Sequence, residues 1–264
     1  MKLSPRVLAF LVSTAAFLAI PIAAAQDLTV MTSGGFAAPV EHLIPKFEAS
    51  SGLHVAQVHG ASMGTTTTAI PMRLARNEPA DVVILARSAL DALAKQGFVV
   101  EGSQVDLVRS KIGMAVKAGA PVPDISTVAA FKKTLLAAKS IAYSDSASGV
   151  YIETEMYKKL GIESQASPKS TKILGDPVGE VVAKGAAEIG FQQMSELKPI
   201  PGITIVGPIP AEMQQVTVFS AGLVTSSKHK EYARALVNFL ASAAACPVIV
   251  EDALEPTACA PETK

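Results

Sequence analysis

Tyr143-Ser144-Asp145-Ser146-Ala147-Ser148-Gly149-Val150-Tyr151 decides the fold. It reads as a strand running into a small polar turn that opens onto a helix over 150–160. A helix start leaves backbone N–H groups unpaired and carries partial positive charge, so it accepts an anion. Serine hydroxyls add neutral donors, and glycine lets a backbone come close to a ligand. Ser and Thr also cap helices where no ligand is involved, so one such turn decides little. Two further turns share the design: Thr32-Ser33-Gly34-Gly35 and Ala61-Ser62-Met63-Gly64-Thr65, each ahead of a segment that reads as helix. Together the three predict one anion site assembled from several helix starts.

The flanking sequence alternates between strand and helix patterns. Leu28 to Met31 reads as a short buried strand, and Val40, Leu43, Ile44 and Phe47 share one face of the helix after it. His54 to Val58 is a strand, 64–76 a helix kinked or restarted at Pro71, and Asp81-Val82-Val83-Ile84-Leu85 an apolar run. Such a run suits a parallel strand buried on both faces. This order predicts a doubly wound α/β sheet. A second alternating set runs from 111 to 192, and a strand at 216–225 and a helix at 229–243 follow it. An inserted set predicts a two-lobed α/β protein, each lobe a doubly wound sheet flanked by helices. The chain would cross between lobes near 110–114 and 215–219, with ligand in the inter-lobe cleft at the carboxyl ends of strands. Lobe 1 is then 26–110 plus 218–264, and lobe 2 is 111–217.

Lys2 and Arg6, an apolar run over 7–20 and Ala23-Ala24-Ala25 make 1–25 a secretory signal, too short for a membrane anchor. The expected compartment is the periplasm, with no membrane insertion of the mature chain. The 23 basic residues balance the 23 acidic ones, and removal of Lys2 and Arg6 leaves the chain slightly acidic. That argues against nucleic acid or an anionic membrane as partner. Cys246 and Cys259 suit a disulfide clamping the tail of an exported chain. His42, His54, His59 and His229 stand singly without ligand spacing, so neither metal nor cofactor is expected.

The pattern resembles the periplasmic solute-binding proteins of ABC transporters, in particular the molybdate-binding-like group. The matching features are Ser33-Gly34-Gly35, Ser62, Pro79-Ala80-Asp81-Val82-Val83-Ile84, Ser148-Gly149-Val150-Tyr151 and Glu188-Ile189-Gly190-Phe191. The resemblance implies ligand contacts at Ser33, Ser62, Ser148, a residue near Val178, and Gln193, which stands where molybdate binders place a tyrosine. Longer strings are similar to the periplasmic aconitate isomerases within this group. They are Arg73-Leu74-Ala75-Arg76-Asn77-Glu78-Pro79-Ala80-Asp81, the opening stretch, and Gly190-Phe191-Gln192-Gln193-Met194-Ser195-Glu196-Leu197-Lys198. That resemblance implies interconversion of cis- and trans-aconitate on a binding-protein scaffold, with a small tricarboxylate as ligand. The alternative is a passive receptor handing a tricarboxylate, or a molybdate-like oxyanion, to an ABC permease.

Aconitate isomerisation takes a proton from a methylene carbon and returns it at the other end of an allylic system. It requires donors to the carboxylates and one acid/base group near the carbons. The expected donors are Ser33, Ser62, Thr65, Ser146, Ser148, the amides of Gln192 and Gln193, and backbone around Gly34, Gly35, Gly64, Gly149 and Val150. Met63 and Phe191 suit an apolar wall, and Arg87 stands at a strand end within reach of the cleft. Tyr151 and Asp145 are the candidate proton-transfer groups; helix dipoles would favour a phenolate at Tyr151. Tyrosines in helices more often pack, and aspartates in turns more often cap. Mass spectrometry of the exported protein should find a chain beginning at Gln26; retention of Met1 would overturn the signal assignment.

Overall fold

The computed structural model describes residues 27–259, so the secretory segment expected at 1–25 lies outside the described residues. Eleven strands follow in order: β1 (Asp27–Thr32), β2 (His54–His59), β3 (Val82–Ala86), β4 (Val105–Ser110), β5 (Ile112–Lys117), β6 (Ile141–Ser144), β7 (Ser170–Ile173), β8 (Ile189–Gln193), β9 (Ile203–Pro208), β10 (Thr217–Leu223) and β11 (Glu255–Pro256). They form two sheets, ordered β11-β4-β10-β3-β1-β2 and β7-β6-β8-β5-β9.

Each sheet has a parallel part and an antiparallel part. In the first, β1 runs parallel to β2 and β3, and β10 lies antiparallel between β3 and β4. In the second, β6 runs parallel to β7 and β8, and β5 lies antiparallel between β8 and β9. The antiparallel members β5 and β10 are the strands the chain forms on arriving from the other lobe. Only Lys111 separates β4 from β5, and the return passage runs between Pro208 and Thr217. Gln214, on that return, ties the passages together. Ile112 N donates to its Oε1 at 2.8 Å, and its Nε2 donates to Ile112 O at 3.0 Å.

Apolar side chains fill both faces of each sheet. All five residues of β3 are buried; Val82, Ile84 and Ala86 join Phe36, Leu43 and Phe219 on one face, while Val83 and Leu85 join Met31, Ile70 and Leu90 on the other. That is the two-sided burial expected of the run. Phe191 belongs to the second lobe's core, edge-on to Phe131 at 6.0 Å, and not to a ligand wall.

Two helix boundaries differ from expectation. The segment expected to be helical over 64–76 is helix only over Ile70–Ala75, with Pro71 in its first turn, where its missing N–H is not needed. The turn at Ser62 therefore opens no helix. The helix after the opening stretch starts at Ala147 and continues through a π-helical turn, Ile152–Met156, to Leu160. Arg73 and Arg76 pair with Glu78, whereas Asp81 accepts from Thr29 N and Ser227 Oγ.

Cys246 and Cys259 are bonded, with Cα atoms 6.4 Å apart and a sequence separation of 13. The bond clamps the helix Cys246–Glu251 to the tail that carries β11 on the edge of the first sheet. Closing a loop of that size stabilises by about 3 kcal/mol in the chain-entropy account. Replacing both cysteines with alanine should lower the unfolding free energy by up to that amount, read from urea denaturation; an unchanged midpoint would refute the clamp.

Candidate functional site

The carboxyl ends of β1, β2, β6 and β8 meet between the lobes. After β1 the chain turns sharply: Ser33 N donates to Ile84 O at 2.8 Å and Phe36 N donates to Ser33 O at 3.0 Å, starting the short 3-10 helix Gly34–Phe36. Ser33 is 1% exposed, yet its Oγ has no hydrogen-bond partner. After β6, Asp145 N donates to Ile173 O and extends the ladder by one residue. The Asp145 side chain is 8% exposed, and its Oδ2 also has no partner. Such groups cost roughly 1–3 kcal/mol each when left unsatisfied, so two of them at the carboxyl ends of β1 and β6 suit a polar ligand.

A cavity of about 380 Å³ lies there, lined among others by Gly34, His59, Asp145, Ser146, Gln192 and Glu196. Beside it, hydrogen bonds join the lobes: Ser62 N donates to Ser146 Oγ at 3.2 Å, and Ser195 Oγ donates to Gly35 O at 2.9 Å. Gly64, at φ 100°, brings the first lobe against Asp145; a Cβ there would stand 3.3 Å from Asp145 O. No lysine or arginine is among the described residues that line this cavity.

Glu196 sits in the short helix Met194–Leu197 that follows β8. Gln192 Nε2 donates to its Oε1 at 3.0 Å, and Gln193 N donates to its Oε2 at 3.3 Å. The carboxyl reaches across to the first lobe, where a Cβ on Gly34 would collide with Oε1. Burial pushes the Glu196 carboxyl up to about 7, the two N–H donors oppose that rise, and the Asp145 charge adds to it. Burial likewise raises Asp145, against the pull of its own N–H, the Gly175 N–H and Lys172.

Of the residues expected at the site, Gly34, Asp145 and Ser146 line the cavity, and Ser33 precedes Gly34 with its free oxygen. Others support it from behind. Ser62 Oγ accepts from Ala86 N, and Ser148 Oγ pairs with Ser144 Oγ. Val150 N is used by Ser146 O, and Val178 N by Gln192 Oε1. Gln193 Nε2 donates to Thr217 Oγ1 on β10. Gly35 and Gly149 are required by packing, against the Phe219 ring and Ser144 O, and not by the approach of a ligand.

Tyr151 is a departure from expectation. It is 2% exposed, its hydroxyl donates to Met213 O at 2.8 Å, and Lys159 Nζ stands 4.8 Å from its ring centroid. With Met63 and Val150 it lines a separate cavity of about 290 Å³. Arg87 borders that second cavity too, held by Asp106 at 2.6 Å and Asp91 at 2.9 Å. The residue that sequence reasoning passed over is Glu196. Its signal was the spacing of Gln193 and Glu196, an acceptor at a helix start with an acid three residues on.

The model of the family described as bacterial extracellular solute-binding protein matches residues 28–252. Aconitate isomerase of Pseudomonas sp. is 48% identical over 244 residues, covering 91% of this chain and 93% of that one. Molybdate-binding protein ModA of Azotobacter vinelandii is 25% identical over 233 residues, covering 86% of this chain and 89% of that one. The solved periplasmic molybdate-binding protein of Azotobacter vinelandii aligns with a TM-score of 0.68 at 21% identity, covering 86% of this chain and 98% of that one. The periplasmic thiamin binding protein gives the same TM-score at 18% identity, covering 90% of this chain and 85% of that one. The fold is thus the two-lobed, type II periplasmic-binding-protein architecture.

Glu196 holds its proton to about pH 7 in the folded chain, against an ordinary value of 4.5. The folded state therefore binds more protons than the unfolded one between those values, and stability falls as pH rises through that window. Glu196→Gln should flatten the pH dependence of unfolding free energy there; an unchanged slope would reject this account of the carboxyl.

Proposed function

The chain belongs to the bacterial extracellular solute-binding proteins, and we propose that it is a periplasmic aconitate isomerase, joining cis- to trans-aconitate by an allylic proton shift. The observation that carries this is the 48% identity to an aconitate isomerase over 91% of the chain. The site is compatible with it. A cavity of about 380 Å³ suits a six-carbon tricarboxylate. The free oxygens of Ser33 and Asp145 supply polar partners, with Ser146 and the Gln192 amide beside them.

The acidic lining is consistent with an anion once protons are counted. An incoming tricarboxylate disfavours the ionised forms of Asp145 and Glu196 further, and a carboxyl that keeps its proton becomes a donor. Neutral donors also suit the reaction. They can strengthen as charge builds on the carbanion, without the ion pairs that would hold the ground state equally well. The Tyr151 hydroxyl is engaged by Met213 O, which supports a proton-transfer group among the carboxyls of the cleft.

The second reading is a receptor handing a small anion to an ABC permease, favoured by the scaffold shared with ModA. Incubating the mature protein with either aconitate isomer should yield the same equilibrium mixture by chromatography. Binding of trans-aconitate without turnover would favour the receptor. Ser33→Ala should weaken trans-aconitate binding by about 1–3 kcal/mol in calorimetry, and unchanged affinity would remove Ser33 from the ligand set.

A further inference from the structure

We infer that Glu196 is the catalytic group that carries the proton between the two carbons; this rests on the isomerase reading above. Three carboxyls line the cavity: Asp145, Asp176 and Glu196. Asp176 is exposed and open to bulk water. Asp145 is fixed in the turn that continues β6, with its carboxyl opposed to Gly64 of the first lobe. Glu196 is rooted after β8 in one lobe and touches Gly34 in the other, and both of its oxygens are held by donors. A ligand seated between the lobes meets its carboxyl edge.

Its hydrogen bonds suit a proton carrier. Gln192 Nε2 and Gln193 N each donate to one carboxyl oxygen, which fixes the plane of the group. Each oxygen keeps a further lone pair for a proton. With its pKa pushed to about 7, both protonation states are populated near neutral pH, so the group can take a proton and give it back. The Gln192 side chain also accepts from Val178 N, so the carboxyl is braced from a second helix.

The step balances without any co-reactant. A C–H bond of the substrate methylene breaks and its proton bonds to the Glu196 carboxylate. The electron pair spreads over the three-carbon allylic system and into the adjoining carboxylate. The Glu196 O–H bond then breaks, a C–H bond forms at the former vinylic carbon, and the double bond has moved by one position. One carboxyl on the side of the allyl plane that faces β8 serves both ends, because they are only two carbons apart.

The test compares wild type with Glu196→Gln, which keeps a side-chain oxygen for the Gln193 or Gln192 donor but cannot carry the proton. We expect kcat to fall about 10²- to 10⁴-fold, while calorimetric affinity for trans-aconitate stays within about threefold of wild type. Deuterium uptake into the aconitate methylene from heavy water should disappear along with turnover. Wild-type kcat in the variant overturns the assignment, and so does a parallel loss of binding and turnover, which would make Glu196 a binding or scaffold residue. If Glu196→Gln does not fold, Gly34→Ala serves instead. Its Cβ displaces the Glu196 carboxyl without removing it, and kcat should fall at least tenfold; wild-type kcat there overturns the assignment. Absence of turnover in wild type would defeat the isomerase reading itself and is told apart before any variant is measured.

Discussion

Gln214 grips the backbone of Ile112 by both the oxygen and the nitrogen of its side-chain amide, and the cleft is arranged around that grip. The side chain acts as a strand partner where the two interlobe passages run side by side. Ile112 in turn stands opposite Gln193 in the pairing of β5 with β8. Holding Ile112 therefore holds Gln193, and Gln193 N holds the carboxyl of Glu196. Gln193 Nε2 returns the tie to Thr217 on β10. A closed circuit of backbone and amide bonds thus runs from the crossing to the cleft. With only Lys111 between β4 and β5, little slack remains in it.

Electrostatics sets the second constraint. Carboxylate sites are commonly built from arginine forks, which bind strongly and are always charged. The described lining here has hydroxyls, amides and carboxyls in their place. Burial raises both Asp145 and Glu196, which favours their protonated, donating forms. Desolvation is what raises them, so the same burial that walls the cavity also tunes the groups around it.

The fold was legible where the local pattern and the tertiary environment agree. The run in β3 is apolar at every position because both faces of the sheet are covered, and the strand, turn and helix around Asp145 follow from their residue types. β4 was not read, because Asp106 and Arg109 interrupt it; they sit on its exposed positions. The site was less legible. A serine or glycine at a strand end announces a close approach without naming what approaches. Ser148 meets Ser144 of its own strand, and Gly149 makes room for Ser144 O. Ser33, of the same residue type, keeps a free oxygen. The difference lies in what each hydroxyl meets after the turn, which the folded chain decides and residue type does not. Glu196 was hidden by position, since an acid in a short helix ordinarily faces water.

The bond between Cys246 and Cys259 forms where thiols are oxidised. The helix it clamps contributes Val248 and Glu251, with Asp252 just beyond, to a wide cavity of about 870 Å³ that Glu196 also borders. Across that cavity Lys198, from the other lobe, donates to Glu251 O. The tail is thus a latch on the rim of the cleft, and it sets only after the thiols have been oxidised. The bond thus bears on the rim of the cleft as well as on the stability of the tail.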